Sequence, residues 1–245
     1  MKMRLDQYLN LKGFFPSREK AAEAISLGKV FANELQCKKA SQKVDDTYNI
    51  SVKSAGTEYV SRSGNKLEAA MGHFEISAKD KTCLDIGSST GGFTQYLIRN
   101  QAKEVFAVDV GSDQMHPRVS KNPRVKLFEN TDIRKFKKPE NLNFDLIVCD
   151  VSFISLRKII PEIKKLSTTK TTVLLLFKPQ FEVGREYLKK GICKNIDIEA
   201  LIDDLASFSK TLGMKVLSSY KVPLKGKEGN QEYFLQLGVY ANIAQ

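Results

Sequence analysis

Two hydrophobic patterns divide the chain, and the change falls near residue 81. Before it, Leu5, Tyr8 and Leu9 recur at helical spacing with Arg4, and Gly13-Phe14-Phe15-Pro16 breaks the run. Ser17 stands where an N-cap belongs for a second helix over residues 18–27, and Gly28 stands where a left-handed C-terminal residue belongs. Val30-Phe31-Ala32-Asn33 and Tyr48-Asn49-Ile50-Ser51-Val52 then read as short strands around a polar turn holding Lys38, Lys39 and Lys43. Residues 54–66 read as a polar, glycine-containing connector. From Lys81 onward, short apolar runs at 82–86, 105–109, 125–128, 144–149 and 172–177 alternate with helical intervals, which predicts a parallel sheet covered on both faces. Residues 215–220 and 233–240 read as a terminal strand pair. The expected fold is therefore α/β with a small α+β unit in front, bounded as residues 1–58 and 59–245.

Composition narrows the class. Apolar residues make up 42% of the 245 positions and charged residues 27%, an ordinary globular balance. The longest apolar runs, such as 173–177, fall far short of the roughly 18 residues of a membrane helix. Arg4, Asp6, Gln7, Asn10 and Lys12 interrupt the first twelve positions and exclude a secretory signal there, so a cytoplasmic protein is expected, without membrane attachment. The cysteines at 37, 83, 149 and 193 form no CxxC pair and only two histidines are present, so free thiols and no metal are expected. Lys and Arg number 39 against 28 Asp and Glu, a net charge of +11 that points to a polyanionic partner. The excess is spread along the chain, and a merely solubilising basic surface stays open on charge alone.

Chemistry gathers at the carboxyl ends of the expected strands. Asp85-Ile86-Gly87 closes an apolar run, and Ser88-Ser89-Thr90-Gly91-Gly92-Phe93 turns into a helix near Thr94, so small residues let a ligand approach the backbone. A dinucleotide fingerprint needs glycine at 89, where Ser89 stands, so a nucleoside with an amino-acid tail suits the loop better than a pyrophosphate. On this reading Asp85 orients the loop and receives an ammonium group, Asp109 holds a ribose diol, and Asp132 accepts an adenine amine.

Two stretches resemble known families. Arg4-Leu5-Asp6-Gln7-Tyr8-Leu9, Ser17-Arg18-Glu19-Lys20-Ala21-Ala22 and Ile25 with Gly28-Lys29-Val30 resemble the alpha-L RNA-binding motif. That resemblance implies binding of structured RNA, with Arg4, Arg18, Lys20 and Lys29 as phosphate contacts. Asp85 to Thr94, Cys149-Asp150-Val151-Ser152-Phe153 and Phe177-Lys178-Pro179-Gln180-Phe181-Glu182 resemble the TlyA family, long labelled haemolysins, within the FtsJ-like class. The resemblance covers nearly the whole chain. It implies a Rossmann-like sheet binding S-adenosylmethionine, and 2′-O-methylation of cytidine in ribosomal RNA or a ribosomal subunit. The short ends look like those of members that modify large-subunit RNA alone. One departure is Arg62-Ser63-Gly64, where the family usually reads Arg-Gly-Gly.

The same resemblance places the FtsJ-like Lys-Asp-Lys-Glu tetrad on Lys66, Asp150, Lys178 and Glu232. A ribose hydroxyl is a weak acid and needs a base within hydrogen-bond reach. Lys178 is expected to be that base, Lys66 to position the hydroxyl and promote loss of the Lys178 proton, and the two carboxylates to orient both. The Asp-Pro-Pro-aromatic loop common in base amino-group methylation is absent, since Asp150-Val151-Ser152-Phe153 occupies its place. Cys149, inside an apolar run, reads as core rather than nucleophile, and Phe153 and Phe181 as either core or stacking partners of a flipped base. Two rivals are a non-catalytic ribosome-assembly factor, opposed by the intact tetrad, and a pore-forming haemolysin, for which no membrane pattern appears.

Overall fold

The computed structural model describes residues 2–52, 59–226 and 228–240, so the first part of the connector expected at 54–66, residues 54–58, lies outside the described residues. The chain divides into two units, Met1–Glu58 and Tyr59–Gln245. In the first, Ser17 caps helix Arg18–Ser26 through a 3.2 Å bond from the Lys20 amide, and Gly28 ends it at φ 68°. Helix Leu5–Leu11 packs beside it over Leu5, Leu9, Ala21, Ile25, Val30 and Val44. Strand Val30–Ala32 pairs antiparallel with both Leu35–Gln36 and Ile50–Val52, and Met3–Arg4 pairs with Lys43–Val44. The two-residue strands are too short to carry a period in sequence, which is why the polar turn concealed them.

In the second unit, helix α1 (Arg62–His73) begins where the connector was expected to continue. Ser61-Arg62-Ser63-Gly64-Asn65 is a poor helix former by propensity, but Gly64 is required because a Cβ there would strike the Tyr59 ring. Five parallel strands follow, β1 (Thr82–Ile86), β2 (Glu104–Val108), β3 (Val125–Phe128), β4 (Leu146–Cys149) and β5 (Thr172–Phe177). Helices α2 (Gly92–Arg99), α3 (Pro117–Ser120), α4 (Ile160–Leu166) and α5 (Ile198–Thr211) connect or cover them. Strands β6 (Met214–Lys221) and β7 (Tyr233–Val239) close the chain in the order β6-β7-β5-β4-β1-β2-β3, with β7 antiparallel to both neighbours.

Alternation along β1 assigns the faces. Cys83 packs with Leu67, Met71 and Leu97 of α1 and α2, whereas Leu84 and Ile86 pack with Ile160, Ile163 and Leu205 of α4 and α5. The inner parallel strands β1, β2, β4 and β5 are buried on both sides, as a covered parallel sheet requires. The carboxyl ends of β1, β2, β4 and β5 then converge beside one another, because β1 pairs with β2 on one side and β4 on the other.

Candidate active site

The turn after β1 bends too sharply for an ordinary side chain. Gly87 has φ +80°, and a Cβ there would lie 2.6 Å from the Asp150 carbonyl oxygen. Helix α2 starts at Gly92 with left-handed Gly91 as its N-cap, two residues before the expected start near Thr94. Gly92 has a packing role: a Cβ on it would strike the hydroxyls of Ser61 and Ser63, so its absence lets the starts of α1 and α2 meet.

Two cavities open at this edge of the sheet and share Gly87, Ser89, Asp150, Ser152 and Phe153 in their walls. One, about 480 Å³, runs between Ile86, Val108 and Ile133, with Asp109 and Asp132 at its polar rim. Asp109 follows β2 directly, and its oxygens accept from the Ser89 and Gly111 amides, each at 2.8 Å, so it also fixes the neighbouring loops. Asp132 lines the same cavity, but both of its oxygens are engaged by the Arg134 guanidinium, which holds its pKa down at about 2. An adenine amine would have to share that carboxylate with Arg134. Asp85 borders neither cavity. It is fully buried on the face beneath α2, where the Thr94 hydroxyl donates to its Oδ2 at 2.6 Å and Oδ1 has no partner. Burial pushes its pKa up to about 7. The loop-orienting half of its expected role fits this position, and direct receipt of an ammonium group does not.

The second cavity, about 460 Å³, brings Ser88, Ser89, Thr90 and Phe93 of the turn together with Lys66, Asp150, Lys178 and Glu232. All four charged groups meet there, from α1 and the ends of β4, β5 and the segment before β7. They form two separate pairs. Lys66 Nζ lies 2.5 Å from Glu232 Oε2, and Lys178 Nζ lies 2.6 Å from Asp150 Oδ1. The expectation that both carboxylates orient both lysines is thus sharpened: each lysine has its own. Lys178 also donates to Ser152 Oγ at 2.9 Å, a contact that only the fold discloses. Phe153 is 87% exposed and left-handed at φ 63°, with its ring 5.2 Å from that of Phe181, so it is not part of the core. Cys149 lies wholly inside β4, where burial pushes its thiol to about 12, and is not a nucleophile.

In the first unit, Asp6 organises the basic residues. It is buried, and its carboxylate takes Arg4 Nε and Nη2 at 3.0 and 2.9 Å and Arg18 Nη2 at 3.5 Å. Hydrogen bonding from Arg4 first of all holds its pKa below the usual carboxylate range. Lys20 pairs with Glu23 at 3.0 Å, and Lys29 is half-buried after the helix. Among the described residues no helix is long and apolar enough to cross a membrane, and no group of three or more His, Cys, Asp or Glu is placed to hold a metal.

Known proteins are similar to this chain over most of its length. Residues 59–239 match the FtsJ-like methyltransferase family and residues 3–50 match the S4 domain. The 16S/23S rRNA (cytidine-2′-O)-methyltransferase TlyA of Mycobacterium tuberculosis is 36% identical over 239 residues, 96% of this chain and 89% of that protein. The 23S rRNA (cytidine-2′-O)-methyltransferase TlyA of Campylobacter jejuni is 46% identical over 181 residues, 72% of this chain and 69% of its own. A solved structure from Streptococcus thermophilus, described as a hemolysin, superposes with a TM-score of 0.73 at 34% identity, over 97% of this chain and 88% of that one. With the sheet order, the paired lysines and carboxylates and these matches together, the chain belongs to the FtsJ-like methyltransferase family, with an S4 domain at residues 3–50.

Proposed function

We propose that this protein transfers a methyl group from S-adenosylmethionine to the 2′-hydroxyl of a cytidine in ribosomal RNA. The observation that carries the reading is the pair of lysine–carboxylate contacts, Lys66–Glu232 and Lys178–Asp150, set in a cavity that shares a wall with a second, more apolar one. The relatives named above from Mycobacterium tuberculosis and Campylobacter jejuni have this activity.

The residues present fit the cofactor. Apolar walls at Ile86, Val108 and Ile133 suit a flat base, Asp109 follows the strand end where a ribose diol would lie, and the glycine at 87 clears the backbone for close approach. The buried Ser88 hydroxyl has no protein partner and stands at the turn where an amino-acid tail would run. When bound, the sulfonium supplies an electrophilic methyl group. Lys178, beside Asp150 and Ser152, first gives up its own proton to solvent and then, as the neutral amine, takes the proton from the 2′-hydroxyl, while Lys66, held by Glu232, positions that oxygen. Exposed Phe153 and the adjoining Phe181 ring offer faces for a base turned out of its stack. The S4 domain supplies affinity for structured RNA through Arg4, Arg18, Lys20 and Lys29.

The test is to incubate the protein with labelled cofactor and ribosomal RNA or ribosomal subunits and to map 2′-O-methyl groups. Label on a cytidine ribose supports the assignment. Label on a base, or none on any ribosomal substrate while the cofactor binds, overturns it.

A further inference from the structure

Glu182 lines neither cavity, yet it ties the segment after β5, which lines the cavity of the paired lysines, to the loop after β4, which lines both. It follows the turn Pro179–Phe181, four residues beyond Lys178. Its Oε1 accepts from the Leu156 amide at 2.8 Å and its Oε2 from the Ser155 hydroxyl at 2.6 Å. Ser155 and Leu156 close the loop that leaves β4, and that loop bears Ser152 and Phe153. The carboxylate is largely desolvated, and burial raises its pKa against the two donors that lower it. A buried acceptor with two such donors resists displacement, because leaving either donor unpaired costs its solvation.

What the loop must hold explains why it needs a grip. Phe153 keeps a left-handed φ of 63°, unfavourable for a bulky side chain, and such a conformation persists only where its surroundings over-determine it. Ser152, next to it, accepts from Lys178 at 2.9 Å. A loop free to relax at Phe153 would carry Ser152 away from the ammonium group and the ring away from Phe181.

We propose that Glu182 is a positioning residue, which by gripping Ser155 and Leu156 sets Ser152 and Phe153 against Lys178 and so aligns the acceptor hydroxyl with its base. This rests on the assignment of Lys178 as base to a ribose hydroxyl. A side chain that only satisfied two donors would change stability and leave turnover alone.

Three substitutions separate the two bonds. Glu182→Ala removes both. Glu182→Gln keeps both, since its oxygen accepts from Leu156 while its amide donates to Ser155 Oγ, which already accepts from the Arg157 amide. Ser155→Ala removes one. Single-turnover methyl transfer to ribosomal RNA is measured at saturating cofactor, with KM for RNA, cofactor affinity and melting temperature alongside. The wild type is expected to transfer methyl; Glu182→Ala to lose about 30-fold or more in turnover with KM changed less than about threefold; Glu182→Gln to recover to within about threefold; and Ser155→Ala to fall between. A folded Glu182→Ala enzyme at the wild-type turnover, or one altered only in KM, overturns the proposal, as does Glu182→Gln as slow as Glu182→Ala. Should Glu182→Ala fail to fold, Ser155→Ala at the wild-type rate overturns it equally. A wild type that binds cofactor and transfers nothing overturns instead the assignment of Lys178 on which this role depends.

Discussion

At Lys178 the chemistry depends on one proton. Lys178→Ala removes the base and should abolish transfer while cofactor affinity stays nearly unchanged, because the ammonium group belongs to the acceptor cavity. Lys178→Arg should be almost as inactive, since guanidinium keeps its proton at any usable pH. Single-turnover rates between about pH 6 and about pH 10 decide this; an active Lys178→Arg with an unchanged profile would pass the role to Lys66 or solvent. Asp85 gives a second prediction, in stability. Its folded pKa of about 7 lies above that of the unfolded chain, so between roughly pH 4 and 7 the native state holds the extra proton. Its contribution is then full at the acid end of that window and is lost as pH rises through about 7. Denaturation of wild type and Asp85→Asn across the window should show the wild type losing ground with rising pH; parallel curves would place the titration elsewhere. Asp85 also marks the limit of sequence reading at this scale. Its position at the end of an apolar run was legible, but which face it takes depends on β1 lying between α2 and α5, and that face removes it from the cavity wall.

Among the elements, the strands were the most legible and the helix carrying Lys66 the least. Runs 82–86, 125–128 and 172–177 coincide with strands to the residue, and 172–177 is the clearest of them, since from Val173 it is the unbroken apolar stretch of a strand buried on both faces. Helix α1 was concealed by Ser63, Gly64 and Asn65, residues suited to close approach rather than to helix propensity. Gly92 is the counterpart of that approach. Gly92→Ala should force the starts of α1 and α2 apart, at a cost of about 1–3 kcal/mol of overpacking. Because Lys66 rides on α1, turnover should fall with stability, whereas a substitution on the exposed side of α1 should change neither. Melting temperature and transfer rate, measured together, test the coupling; a Gly92→Ala enzyme with full activity would show that α1 adjusts without moving Lys66. Lys66 and Glu232 are 166 positions apart, so no local pattern could have paired them; resemblance named both, and the fold put them 2.5 Å apart.

Across the whole molecule, the question is what the charge of +11 is for. A basic surface that only aids solubility would contribute diffusely, whereas phosphate contacts release counterions and give RNA affinity a definite salt slope. The S4 domain separates the two readings because its arginines are built in rather than loose. Arg4 is forked onto buried Asp6, and Arg18 leans on the same carboxylate, so both guanidiniums are held in place before any RNA arrives. The sequence displayed the arginines but not the fork, since Arg4 and Asp6 lie two residues apart across a strand–helix junction. Pre-set cations lose less conformational entropy on binding than free ones. Arg18→Ala with Lys29→Ala in the full chain should therefore weaken ribosomal RNA binding and reduce the salt slope by about one unit for each phosphate that is no longer neutralised. Cofactor affinity and the turnover at saturating RNA should hold, because both residues belong to the first unit and the paired lysines to the second. Binding titrations at several salt concentrations make the comparison. Weaker affinity with an unchanged slope would mean the module recognises RNA by shape and not by these charges, and unchanged affinity would make its basic face a solubility device.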